Sequence, residues 1–62
     1  MSQSNLMMEN LNFENTYRIL NSLSVTNQED LGGGTCYKGI HPELGEIVLL
    51  IKGSDGTGVL IN

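Results

Sequence analysis

The sequence predicts an α+β fold: one N-terminal helix followed by a three-stranded antiparallel β-meander, completed by dimerisation. Three observations carry this. Glu46 to Lys52 sets five consecutive branched apolar residues between two charges and runs straight into Gly53-Ser54-Asp55-Gly56. So short a run, bounded by turn formers, reads as a strand buried on both faces. Upstream, Phe13, Tyr17, Leu20 and Leu23, with Thr16 and Ser24, fall on one helical face. Finally, one helix shields one face of a three-stranded sheet, and no further segment is left for the other.

In chain order, residues 1–10 read as a flexible lead-in whose apolar cluster is Leu6, Met7 and Met8. Residues 11–62 form a single small domain. Between Leu11 and Val25 two patterns compete. Asn10 or Asn12 offers an N-cap and Glu14 a first-turn acid, which favours a helix. Leu11, Phe13, Tyr17, Ile19, Leu23 and Val25 also fall on odd positions, so a strand, and with it a small all-β barrel, stays open. Thr26 to Gly34 is polar and ends in three glycines, a mobile hinge. Thr35 to Ile40 is the first strand, with Cys36 and Ile40 on one face and Thr35 and Tyr37 on the other. His41-Pro42-Glu43-Leu44-Gly45 is a turn. The 46–52 strand follows in the middle of the meander, with Ile47, Leu49 and Ile51 on one face and Val48 and Leu50 on the other. Gly53 to Gly58 turns the chain into Val59-Leu60-Ile61-Asn62.

Size sharpens the question of cover. A chain of 62 residues buries only about 60% of its unfolded surface, for a margin on the order of 3–5 kcal/mol. Cys36 is the only cysteine and His41 the only histidine, so neither an internal disulfide nor a structural zinc site is expected. Association is the remaining staple. The expected interface is Tyr37, Val48, Leu50, Val59, Leu60 and Ile61, an uncovered sheet face joined to an apolar C-terminal edge.

Several function classes recede. Net charge −4 with three basic residues, Arg18, Lys38 and Lys52, argues against general nucleic-acid binding, which neutralises phosphates with Lys and Arg. No segment nears the roughly 20 apolar residues of a membrane span, and the start lacks the basic and apolar regions of a signal peptide. A cytoplasmic location is expected. The acidic residues Glu29, Asp30, Glu43, Glu46 and Asp55 lack metal-ligand spacing, and Asp55-Gly56 is a turn rather than a calcium loop. His41, beside a proline in a turn, is expected to be exposed and inert, and Cys36 to be a small core residue. Gly32-Gly33-Gly34 fails as a phosphate loop because Tyr37 stands where a glycine is required. No catalytic residue, cofactor, metal or small-molecule substrate is expected.

Two stretches resemble known families. Leu31-Gly32-Gly33-Gly34-Thr35-Cys36-Tyr37-Lys38-Gly39, with Leu44-Gly45-Glu46-Ile47-Val48 and Lys52, looks like the first strands of a protein kinase small lobe. Tyr37 replaces that loop's third glycine and Leu50 the small residue two before the lysine. With neither a catalytic loop nor a metal-binding aspartate following, no kinase activity is expected. Leu44-Gly45-Glu46-Ile47-Val48 also resembles the hairpin of swapped-hairpin transcription factors and antitoxins. That likeness implies a dimer reading DNA through basic residues, where this chain has Glu46. The expectation is therefore a protein-binding regulator, adaptor or inhibitor of a larger protein, not an enzyme. A dimeric DNA-binding regulator or antitoxin is the alternative.

Overall fold

The computed structural model describes residues 7–62. It contains one helix and five antiparallel strands in a single sheet: β1 (Met8–Leu11), α1 (Phe13–Ser22), β2 (Ser24–Asp30), β3 (Gly34–His41), β4 (Gly45–Lys52) and β5 (Gly58–Ile61). The strand order is β1-β5-β4-β3-β2. A helix followed by a three-stranded meander is thus overturned. The three expected strands are present as β3, β4 and β5, but the sheet gains a strand at each edge. The helix is the crossover from one edge strand to the other.

Both added strands come from segments that looked unstructured. Met8 to Leu11, at the end of the supposed lead-in, pairs with β5 from Met8–Ile61 to Leu11–Gly58. Residues 1–6 of that lead-in lie outside the described residues. Ser24 to Asp30, which takes in Thr26 to Asp30 of the supposed hinge, pairs with β3 around a bulge between Val25 and Asn27. Every residue of β2 is exposed, so no face of it needs an apolar period. Its backbone bonds to β3 hold it, supplemented by the Thr26 hydroxyl donating to the Lys38 carbonyl at 3.2 Å. The three glycines build a tight hairpin turn rather than a hinge. Gly32 takes a φ of 89°, the Leu31 N–H donates to the Gly34 carbonyl at 2.8 Å, and the Asp30 carboxylate accepts from the Gly32 N–H at 3.0 Å.

The helix settles the competition for Phe13 to Ser22, whereas Leu11 falls in β1 and Ser24, expected on the helical face, falls with Val25 in β2. Asn12 is the helix N-cap and accepts from the Asn15 N–H at 2.8 Å, with Glu14 in the first turn. Thr16, Ile19, Leu20 and Leu23 form the stripe that meets the sheet. Thr16 is completely buried. Its hydroxyl donates to the Asn12 carbonyl at 2.7 Å, which frees its methyl to rest on β5. A Cβ at Gly58 would lie 2.8 Å from that methyl and 2.9 Å from the Leu50 carbonyl oxygen, so only glycine admits the helix so closely. Phe13 and Tyr17 lie beside the stripe, 59% and 37% exposed, with ring centroids 5.0 Å apart.

The core lies between α1 and one sheet face: Leu11, Leu23, Ile47, Leu49, Ile51 and Leu60, with Ile19, Leu20, Tyr37 and Leu44 packed against it. Leu49, at the middle of the middle strand, is fully buried.

Candidate interaction surface

β4 alternates between the two faces. Ile47, Leu49 and Ile51 are buried under the helix, while Glu46, Val48, Leu50 and Lys52 point to the side the helix does not reach. Pairing registers extend that open face across the sheet. One row runs Met8, Ile61, Val48, Lys38 and Asn27; the next runs Asn10, Val59, Leu50, Cys36 and Glu29. Outside them lie Glu46 beside Ile40, and Lys52 beside Gly34. Val48, Leu50, Val59, Ile61 and Cys36 are half-buried among their neighbours, and Ile40 and Met8 are 54% and 68% exposed. This is an apolar patch on a sheet face that no part of the described chain covers.

The expected interface residues divide between the faces. Val48, Leu50, Val59 and Ile61 fall on the open side. Tyr37 and Leu60 pair with Leu49 on the helix side, where Leu60 is buried and Tyr37 packs on the core. The apolar C-terminal run is not an edge either, because β1 occupies that position and the Asn62 N–H donates to the Met7 carbonyl at 3.0 Å. Ile40 and Met8 were not among the expected interface residues. Alternation had already set Ile40 on the face of Cys36, and the β3–β4 register puts that face beside Val48 and Leu50, whereas Met8 depends on the unrecognised β1.

Two shallow depressions mark the open face. One of about 340 Å³ is bordered by Lys38, Glu46, Val48 and Ile61, the other of about 280 Å³ by Leu31, Gly34, Leu50, Lys52 and Val59. Charges frame the apolar centre: Glu46 and Lys52 at the two ends of β4, Lys38 and Glu29 toward the β2 edge. The ion pair among the described residues is Arg18–Glu14 at 3.7 Å on the helix. Lys38, Glu46 and Lys52 hold none there.

The helix side carries a third cleft, about 520 Å³, lined by Arg18, Ile19, Ser22, His41, Pro42, Glu43 and Leu44. His41 is not an exposed turn residue but 7% exposed. Its Nδ1 accepts from the Glu43 and Leu44 N–H groups at 3.1 and 3.2 Å, which makes it the clasp of the β3–β4 turn. The Asp55 carboxylate accepts from the Thr57 hydroxyl at 2.7 Å and the Thr57 N–H at 3.0 Å. Those bonds, the hydroxyl's first, lower its pKa.

Among the described residues, no three His, Cys, Asp or Glu side chains come together as a metal-binding group, and no helix is long and apolar enough to cross a membrane. No family model, curated protein or solved structure matches the chain.

Proposed function

We propose that this chain is a protein-binding module, acting as a regulator, adaptor or inhibitor through the open face of its sheet. The observation that carries the reading is the fate of β4. Its odd residues bury themselves under the helix, while Val48 and Leu50 keep a solvent-facing apolar centre framed by charges. Such a face, apolar at the middle and charged at the rim, has the anatomy of an association surface. A DNA-binding dimer would need Arg18, Lys38 and Lys52 gathered on one side. Arg18 stands on the helix layer paired with Glu14, opposite Lys38 and Lys52, and this disfavours that alternative.

Affinity capture from the native host, run with and without nuclease, tests the reading. Wild type is expected to retain a stoichiometric companion, another protein or a second copy of this chain, that survives nuclease, that is lost with Leu50→Asp, and that is kept with Arg18→Glu. A companion indifferent to Leu50 would overturn the open face as the binding surface. Retention that requires nucleic acid and fails with Arg18→Glu would instead establish the DNA-binding alternative.

A further inference from the structure

Resting on that reading, we infer that the occupant of the open face is a second copy of this chain, docked face to face about a two-fold axis that crosses β4 at Leu49. The argument is the self-complementarity of the face. An in-plane two-fold perpendicular to the strands exchanges the Val48 row with the Leu50 row and lays β4 antiparallel over its copy. Val48 then meets Leu50 of the other copy, and Ile61 meets Val59. Glu46 comes to lie over Lys52, twice by symmetry. These are the charged open-face residues of β4, three positions to either side of the axis and opposite in sign.

Shape agrees with charge. Ile40, projecting from β3 beside Glu46, is placed over Gly34 of the other copy, which stands beside Lys52. There the chain has no side chain, and the depression of about 280 Å³ opens. Lys38 is carried over Cys36, with Glu29 on the neighbouring strand within reach of its ammonium group. Face-packed sheets sit about 10 Å apart and cross at about 30°, an offset that long Glu and Lys side chains absorb. The result is a four-layer helix–sheet–sheet–helix particle with both apolar faces covered.

The size of the face sets where to look. Five strands by six residues project roughly 500 Å² per copy, below the about 800 Å² per partner of a standard interface. Association is therefore measured by sedimentation equilibrium from micromolar to millimolar protein, at one moderate salt concentration held the same for wild type and variants, so that the exposed Glu46 and Lys52 charges are not fully screened. Glu46 and Lys52 are both exposed, so Glu46→Lys and Lys52→Glu keep the fold, which circular dichroism checks. Each variant alone sets like charges against each other twice, and its dissociation constant is expected to rise about tenfold or more. An equimolar mixture restores both attractions and is expected to form the one-to-one heterodimer. The double variant, with the charges exchanged, is expected to dimerise as wild type does.

Wild type that stays monomeric throughout the range overturns the inference, as does a wild-type dimer whose single variants do not recombine. Leu50-dependent capture of a different protein by a monomeric chain would leave the module reading standing. Monomeric behaviour with no Leu50-dependent companion sinks both.

Discussion

The two faces of the sheet are made by the same strands, yet they are different materials. On the helix side Ile47, Leu49, Ile51, Leu60 and Leu11 interdigitate with α1 and exclude water. On the other side Val48, Leu50, Val59 and Ile61 are, among the described residues, only half-buried by their strand neighbours, and charges stand at the ends of β4. The difference shows that strand pairing fixes a residue's neighbours, whereas burial depends on which face the single helix reaches. One residue of displacement along β4 separates a core position from a surface one.

The sharpest way to break this comparison is to cut the same side chain on each face. Leu49→Ala opens a cavity at a fully buried site and should cost about 2–5 kcal/mol, comparable to the whole expected margin of about 3–5 kcal/mol. The variant should be largely unfolded by circular dichroism. Leu50→Ala, measured in urea on dilute protein, should cost only about 1 kcal/mol, since its side chain is only partly removed from water in the single copy. Equal losses would show that the open face is part of the core.

A smaller contrast lies one turn away, between Ile40 and His41. His41→Ala leaves the Glu43 and Leu44 N–H groups without their acceptor and should cost about 1–3 kcal/mol. Ile40→Ala should change the stability of dilute protein by less than about 0.5 kcal/mol while weakening self-association in sedimentation. If Ile40→Ala left association intact, its placement over Gly34 of a second copy would be wrong.

These pairs also mark how far the sequence could be read. β4 was legible because burial on one face and half-burial on the other left an unbroken apolar run between Glu46 and Lys52. Its neighbours β3 and β5 followed from their turn residues. β2 was not legible: strand signals are burial signals, and Ser24 to Asp30 buries nothing. β1 is four residues long and has one buried side chain, Leu11, too little for a period. Val59, Leu60 and Ile61 were read together as a free C-terminal edge, a position that β1 occupies, and Tyr37 needed the β3–β4 register to be placed. His41 looked exposed by its neighbours in sequence, but two backbone N–H groups draw its ring inward.

Cys36 offers a gentler probe, since it is half-buried in the middle of the open face. A maleimide attached there should leave the far-ultraviolet spectrum and the urea midpoint of dilute protein nearly unchanged, while abolishing self-association. Reaction should also slow as protein concentration rises, because the second copy covers the thiol. Unfolding on modification would instead place Cys36 in the core and erase the distinction between the faces.

The smallest expected effect belongs to the β4–β5 turn, beneath the helix side. Gly56 lies against the Phe13 ring, where an added Cβ would come within 2.7 Å of it. The adjacent Asp55–Thr57 clasp thus shapes the platform on which the start of the helix rests. The carboxylate's pKa is lowered in the folded chain, by the Thr57 hydroxyl above all. A depressed folded value means stability that is present above the unfolded carboxylate value of about 4 and lost as pH falls through the folded one. Urea midpoints of wild type and Asp55→Asn should therefore differ at neutral pH and converge below that value, with Asp55→Asn the flatter of the two. Midpoints of the two chains that stayed equally far apart below that value would show that the Asp55 carboxylate is not the group whose ionisation supports the turn.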